Sequence, residues 1–167
     1  MDILVLGNEL LHRKAEPIKH IGPEYIKLAE DLIKALHEGK GIGLAGPQVG
    51  ILERIFAIHV GGDVPRIFIN PSIIETSQEL AKYEEGCLSI PGIYADVIRP
   101  ESLKIQAWNE KGKAFTLEAS GLVARVILHE YDHLEGTLFI DHISEHKRKR
   151  ILAKMEKSSI RKDHGKK

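Results

Sequence analysis

Two histidines stand four residues apart in the stretch HEYDH, residues 129–133, which directly follows the apolar run GLVARVIL. On a helix each residue advances by about 100°, so His129 and His133 lie on one face, where both imidazoles can bind a single ion. Glu130 points elsewhere around the helix and is better placed to hold a water molecule. The pattern predicts the zinc-hydrolase arrangement of two ligands and a general base, although so short a spacing also arises by chance on a solvated helix face.

A catalytic metal ion of this kind takes three protein ligands and keeps one position for water, so the site needs a third ligand. In metzincin proteases that ligand is a downstream histidine, but this chain keeps Gly136 and has Phe139 in its place. Glu145 and Glu156 are further candidates, in charge-rich segments that favour solvation. Cys87 is the single cysteine of the chain, and a buried structural thiol is the alternative for it. A thiolate with two imidazoles suits Zn²⁺, Fe²⁺, Ni²⁺ or Co²⁺, and ligand type does not decide among these ions.

Three motifs occur in order along the chain: GIGLAGPQ at 41–48, EGCLS at 85–89 and HEYDH at 129–133. Together they resemble the signatures of peptide deformylase. The likeness extends to the Arg99–Pro100 pair and to ARVILHEYDHLEGTLFID at 124–141, and it covers nearly everything up to about residue 145. Each motif alone is moderately specific, whereas the three in this order and spacing are highly specific.

The resemblance implies a role for each matching residue. The implied metal ligands are Cys87, His129 and His133. Glu130 then carries the proton, Gln48 and the backbone N–H of Leu88 stabilise the oxyanion, and Gly43 offers backbone contacts to the peptide.

Two positions depart from the family pattern. Gly46 stands where the family usually has an alanine, which predicts a looser loop around Gln48. Leu128 replaces a glutamine that is common just before the first histidine. Neither residue is a ligand or the acid/base, so both bear on substrate preference rather than on the reaction.

The activity that the resemblance implies is removal of the N-formyl group from the formyl-methionine of newly synthesised proteins. The implied cofactor is one divalent metal ion, with Fe²⁺ expected in the cell and Zn²⁺, Ni²⁺ or Co²⁺ as alternatives. The implied partners are N-formylmethionyl peptides and nascent chains. Hydrolysis of the formyl amide needs an activated water, a stabilised oxyanion and a protonated leaving amine, and the motif residues would meet these needs.

Leu122 and Val126 continue the stripe of the two histidines upstream along the same helix. The metal face therefore extends into an apolar floor that would suit a flexible side chain such as methionine, and the resemblance implies that pocket. Ordinary core packing is the alternative for each of these two residues. Asp132 is either a partner of the ligand shell or a surface acid, and the sequence supports both interpretations.

The resemblance implies an α+β fold. It would have short antiparallel β-sheets around a central metal-binding helix that carries His-Glu-x-x-His, with further helices near the N- and C-terminal ends. Residues 23–41 have an apolar stripe at helical spacing and end in glycines, which predicts a helix. Residues 54–60 and 66–70 are predicted strands, and residues 102–119 alternate on both sides of NEKG, which predicts a hairpin.

Other segments give less regular signals. ILVL at 3–6 predicts a short strand, and the glycines and proline of residues 41–51 predict a loop. Ser120 is expected to cap the metal-binding helix and Gly136 to end it. A last basic helix is predicted from Ser144 to about Lys157, followed by a disordered end.

The composition bounds the class of protein. The chain has 167 residues, 43% of them hydrophobic and 29% charged, which is ordinary for one globular domain. No secretory signal or membrane span is predicted, and a single cysteine excludes an internal disulfide, so we expect a cytoplasmic protein. No membrane or DNA partner is expected.

The net charge of zero is unevenly distributed along the chain. Residues 147–167 contain ten lysines and arginines against two acids. We therefore divide the chain into a deformylase-like catalytic domain, residues 1–146, and a basic C-terminal helix and tail, residues 147–167. The tail predicts a contact with the ribosome, with simple solvation as the alternative.

Two other functions fit parts of the pattern. A zincin-type metallopeptidase would use a downstream histidine or glutamate as third ligand instead of Cys87. A ribosome- or RNA-binding module with a structural metal would need a fourth protein ligand, and the chain has no second cysteine to supply it.

Overall fold

A computed structural model describes the backbone of residues 1–165 and the side chains of residues 1–157. This part of the chain contains three α-helices and seven β-strands. The helices are α1 (Glu24–Glu38), α2 (Gly121–Leu134) and α3 (Glu145–Gly165). The strands are β1 (Gly43–Ala45), β2 (Ile55–Ile58), β3 (Arg66–Thr76), β4 (Leu80–Cys87), β5 (Ile90–Pro100), β6 (Ser102–Trp108) and β7 (Ala114–Ser120).

The strands form two separate antiparallel sheets. One has five strands in the order β1-β2-β3-β6-β7, and the other is the β4-β5 pair. Successive side chains of a strand point to opposite faces, and in β2 both faces are buried. Phe56 packs in the cluster that contains the apolar residues of α2, whereas Ile55 packs with Leu32 and Leu36 of α1. The larger sheet is therefore covered by α1 on one face and α2 on the other.

Most of the predicted elements are confirmed, and so is the α+β class with antiparallel sheets. The helix in 23–41 and the hairpin in 102–119 are present as α1 and β6–β7. Ser120 occupies the N-cap position of α2, but its side chain makes no capping hydrogen bond. The helix ends at Leu134, and Gly136 follows two residues later in the left-handed region with φ +74°, which glycine adopts without strain.

Three predictions about local structure are wrong. Residues 3–6 form no strand, because they lie against two separated parts of the fold instead of pairing with a strand. Residues 41–51 are not simply a loop, since they contain β1 and a 3₁₀ turn at Gly46–Val49. The last helix does not stop near Lys157 but continues to Gly165, and the final residues of the predicted tail, 166–167, lie outside the described part. Among the described residues, no helix is both long enough and apolar enough to span a bilayer.

Candidate metal centre

The three ligand candidates meet between the two sheets. Cys87 is the last residue of β4, and His129 and His133 lie one turn apart on the buried face of α2. One ligand atom from each of these three residues lies within 4.8 Å of the others, and Cys87 Sγ is 3.4 Å from His133 Nε2. One thiol and two imidazoles converging at this spacing match the donor set of a single divalent ion.

Hydrogen bonding orients the His129 ring in the site. His129 Nδ1 donates to Glu85 Oε1 at 2.8 Å, because a carboxylate can only accept, and this bond leaves the other ring nitrogen, Nε2, as the one available to a metal ion. Burial, together with the neighbouring positive charges of His129 and Arg99, lowers the pKa of His133 well below its ordinary value. A neutral imidazole is the form that binds a metal ion, so this residue suits the site.

Glu130 lies beside the ligands with its side chain almost wholly buried. Its Oε2 atom is 4.0 Å from His129 Nε2, and its Oε1 atom has no hydrogen-bond partner among the described residues. Burial raises the pKa of Glu130 to about 7, although the charge of His129 acts in the opposite direction. A carboxyl group with such a pKa can both accept and donate a proton near neutral pH.

Gln48 and Leu88, the two residues that the resemblance implies as oxyanion donors, both lie next to Cys87. Gln48, in the 3₁₀ turn after β1, is held by the Ala45 N–H, which donates to its Oε1 at 2.9 Å. Its Nε2 donates to Ser89 Oγ at 3.1 Å and lies 3.4 Å from Cys87 Sγ. Leu88 is the first residue of the two-residue turn that joins β4 to β5. Gln48 is therefore not a solvent-facing loop residue but a buried donor directed at the ligand cluster.

A cavity of about 610 Å³ opens next to these groups. Its lining includes Gly43, Leu122 and Val126 together with Cys87 and Glu130. Gly43 lies so close to Glu130 that a Cβ atom at this position would be 2.8 Å from the carboxyl carbon. Close approach of the β1 backbone to the carboxylate thus depends on the glycine.

Charged side chains surround the ligands in a continuous network. Glu85 accepts from Arg99 Nε at 2.6 Å and from Arg125 Nη1 at 2.8 Å, besides its bond with His129. Arg99 also donates to Asp132 at 2.8 Å, and Asp132 is bound on its other side by His142 at 2.7 Å. Burial opposes ionisation of Glu85, but the hydrogen bonds from His129 and the two arginines hold the pKa of its carboxyl well below the usual range.

The network was only partly visible in the sequence. Among the described residues, the side chain of Asp132 makes no hydrogen bond with His129 or His133 and is linked to His129 through Arg99 and Glu85. Glu85 and Arg99 fall within stretches that carry the family resemblance, but the sequence alone offered no pattern that pairs them. Arg125 lies within an apolar helical run, and its charge at a buried position is the one signal that marks it.

The downstream ligand candidates lie away from the cluster. Phe139, which stands in the sequence where metzincins have their third histidine, is not a ligand but stacks on the His129 ring with the two ring centroids 5.9 Å apart. Glu145 is exposed and pairs with Lys149, and Glu156 is exposed. Among the described residues, the cluster of Cys87 with the two histidines is the one group of three that can hold a metal ion.

The two departures from the family pattern lie in packed surroundings. Gly46 is buried, and a Cβ atom there would be 2.7 Å from the carbonyl oxygen of Ile51 and 2.9 Å from that of Glu53. The structure thus shows a tight turn at this glycine instead of the looser loop that the sequence suggested. Leu128 packs in the apolar cluster between α2 and the larger sheet.

Comparisons with known proteins place this site in a family. A family model described as polypeptide deformylase matches residues 1–149. A peptide deformylase from Neisseria meningitidis serogroup C is 45% identical over 159 residues, which cover 94% of this chain and 95% of that protein. The crystal structure of peptide deformylase from Ehrlichia chaffeensis has a TM-score of 0.93 at 32% identity and covers 98% of each chain. That of a peptide deformylase from Synechococcus elongatus in complex with actinonin has a TM-score of 0.86 at 38% identity, covering 92% of this chain and 84% of that one.

The fold, the ligand cluster and these likenesses define a metal-dependent hydrolase. The chain belongs to the polypeptide deformylase family. It is an enzyme whose activity is peptide deformylation, and the resemblance stated from the three sequence motifs is confirmed. The same comparisons set aside the two alternative functions, a zincin-type metallopeptidase and a non-enzymatic RNA-binding module with a structural metal.

Proposed function

We propose that the enzyme removes the formyl group from an N-terminal formyl-methionine, with one divalent ion held by Cys87, His129 and His133. The observation that carries this assignment is the convergence of their ligand atoms within 4.8 Å of one another, beside a buried carboxyl group. The soft thiolate and the two imidazoles are donors that Fe²⁺, Zn²⁺, Ni²⁺ and Co²⁺ all accept. Of these ions we propose Fe²⁺ as the metal of the cell.

Held by these three residues, such an ion would polarise the substrate carbonyl and lower the pKa of a water molecule to about 7. Glu130 is proposed as the proton carrier. Its unpartnered Oε1 is free to accept the proton of the attacking water, and its raised pKa lets the carboxyl group pass that proton to the departing amine. Burial keeps bulk water away from the carboxyl group, so the proton stays within the site.

Gln48 and the backbone N–H of Leu88 are proposed to stabilise the charge that develops on the formyl oxygen. Gln48 Nε2 points towards Cys87, and its side chain is held in place by the bonds to Ala45 and Ser89. A donor that is already oriented costs no reorganisation when the charge appears, and removing one such donor typically lowers kcat by about 10²–10³.

The cavity beside the cluster is proposed to select the substrate. Leu122 and Val126 line it on the same face of α2 as the ligands and would contact the methionine side chain, while the Gly43 backbone would contact the peptide. A formyl group has only hydrogen on its carbonyl carbon. It can therefore approach a centre enclosed by Cys87 and the Leu88 turn. The additional methyl group of an acetyl substrate would collide with these enclosing residues.

The proposal is tested with four peptides. The formyl-Met and acetyl-Met peptides differ only in the acyl group, the formyl-Gly peptide differs from the first only in its N-terminal side chain, and the fourth has a free N-terminus and only internal peptide bonds. The enzyme, prepared without oxygen, is expected to turn over formyl-Met far faster than acetyl-Met and to leave internal bonds uncut. Formyl-Gly should have a kcat/KM lower by about one to two orders of magnitude, because burying a methionine-sized side chain contributes about 1.5–3 kcal/mol. Comparable turnover of the acetyl or internal peptide would refute the proposal.

The basic helix α3 is proposed to contact the ribosome, where nascent substrates emerge. Residues 147–167 carry ten lysines and arginines against two acids, and such a segment attracts the phosphates of RNA. Ile151 and Met155 pack on the apolar cluster next to β5, which attaches α3 to the body of the enzyme.

A further inference from the structure

The two proposed oxyanion donors come from different sheets. Gln48 follows β1 of the five-stranded sheet, whereas Leu88 lies in the turn of the β4–β5 sheet. No strand pairing joins the two sheets within the described residues. The distance between the two donors therefore depends on contacts outside the sheets.

The N-terminal segment, residues Ile3–Leu6, bridges the two donor elements through its backbone. The Leu4 N–H donates to the carbonyl oxygen of Gln48 at 2.7 Å, and the Leu6 N–H donates to that of Ser89 at 2.8 Å. Both bonds are short and involve buried partners. Gln48 and Ser89 are also joined directly by their side chains, at 3.1 Å, so the segment completes a closed loop of contacts around the donor pair.

The segment alternates as an extended chain does. Leu4 and Leu6 are half-buried against the cluster that includes Leu11 and Ile90, while Val5 between them is 47% exposed. Within the described residues, the Val5 N–H makes no backbone hydrogen bond. The bridge thus uses every second amide, and Val5 lies between the two bridging residues without an N–H bond in the bridge.

On the basis of the oxyanion role proposed above, we infer that the N-terminal segment sets the spacing between Gln48 and the Leu88 N–H, with Leu4 and Leu6 as positioning residues. Their effect passes through the backbones of Gln48 and Ser89, which they hold at a fixed separation across the gap between the sheets. The short strand expected from ILVL is replaced by this bridging role.

The test removes one amide donor at a time. Leu4→Pro deletes the N–H that binds Gln48, Leu4→Ala keeps that N–H but removes the side chain, and Val5→Pro introduces the same ring where no bond is lost. Deformylation of a formyl-Met peptide, metal content and thermal unfolding are measured for each. We expect Leu4→Pro to lower kcat by about tenfold to a hundredfold, with KM within about twofold of wild type and the metal retained. A misplaced donor weakens stabilisation of the negative charge that develops only in the transition state, so substrate binding changes little. Val5→Pro and Leu4→Ala should keep most of the wild-type kcat.

A double variant shows whether the effect passes through Gln48. In a Gln48→Ala background the donor is already absent, so Leu4→Pro should lower kcat little further. A full additional loss in that background, or equal kcat for Leu4→Pro and Val5→Pro, would overturn the inference. Should Leu4→Pro fail to fold, a glycine inserted between Val5 and Leu6 keeps every side chain and disrupts the register of the bridge. The same loss of kcat is expected for it, and wild-type kcat would refute the idea.

Failure of the proposed function gives a different result. If the wild-type enzyme does not cleave formyl-Met, or if Gln48→Ala alone leaves kcat unchanged, the oxyanion assignment is wrong. If the wild type is active and Gln48→Ala is slow, the comparison of Leu4→Pro with Val5→Pro tests the N-terminal segment alone.

Discussion

Glu85→Gln removes a single negative charge from the centre of the buried network and keeps the shape of the side chain. Glu85 is only 4% exposed. It accepts hydrogen bonds from Arg99 at 2.6 and 3.0 Å, from Arg125 at 2.8 Å and from His129 at 2.8 Å. A glutamine can accept at only one oxygen and turns an NH₂ group towards donors, so Arg125 loses its buried counter-charge and Arg99 keeps only that of Asp132.

The size of the effect follows from the burial of the partners. Removing one partner of a buried ion pair typically costs about 3–5 kcal/mol, because it leaves an uncompensated charge. The lowered pKa of Glu85 also shows that folding favours its ionised form. The resulting stabilisation is present above the unfolded pKa of about 4.3 and is lost as the pH falls below that value towards the folded pKa. His129 also loses the carboxylate that accepts from its ring, and such a loss typically lowers metal affinity by about 10–100-fold.

Glu84→Gln is the matched control, because Glu84 is the exposed neighbour on the opposite face of β4. Urea unfolding at pH 7 is expected to show a free energy of unfolding lower by about 3–5 kcal/mol for Glu85→Gln and within about 0.5 kcal/mol of wild type for Glu84→Gln. Competition with a chelator should show weaker metal binding for Glu85→Gln alone. Equal midpoints and equal metal affinities for the two variants would refute the view that this carboxylate supports the ligand cluster.

The other predictions concern the ligands, the proton carrier and the tail. Cys87→Ser replaces a thiolate by a neutral hydroxyl, so elemental analysis should find little bound metal and activity should nearly vanish; full metal and full rate would point to a different third ligand. Glu130→Gln should keep the metal and lose about 10²–10⁴ in kcat, since only the proton carrier is removed; loss of the metal would show that Glu130 is itself a ligand. Truncation after Glu145 should leave deformylation of short peptides largely intact and weaken ribosome binding in a salt-dependent manner. Identical ribosome binding by the truncated and full-length proteins over a salt series would contradict the proposed role of α3.

Elements with a local signal were predictable from the sequence. The helix α1 is defined by an apolar stripe and a terminal glycine, and the β6–β7 hairpin by alternation on both sides of a turn. The strand expected at 3–6 shows the limit of such signals. Its alternation is real, but Leu4 and Leu6 bind the backbones of Gln48 and Ser89 instead of a neighbouring strand.

The β4–β5 sheet was not predicted as a sheet, because its pattern is obscured on the outward face. Glu84 and Asp96 lie opposite each other there, and Ile98 on the same face is exposed. A strand that shows charged and apolar side chains together to solvent lacks the clean alternation that marks a half-buried strand. The turn that carries Leu88 could therefore be identified only as a loop between strand-like runs.

The sequence by itself determined the half of the site that lies on one helix. His129, Glu130 and His133 keep their relative directions in any α-helix, because the helical period alone sets them. The tertiary structure decided the rest: that Cys87 faces the two histidines, that Glu85 orients His129, and that Gln48, next to the larger sheet, faces Cys87 of the smaller one. These groups are far apart along the chain, and only the packing of α2 and the two sheets into one core brings them within bonding distance.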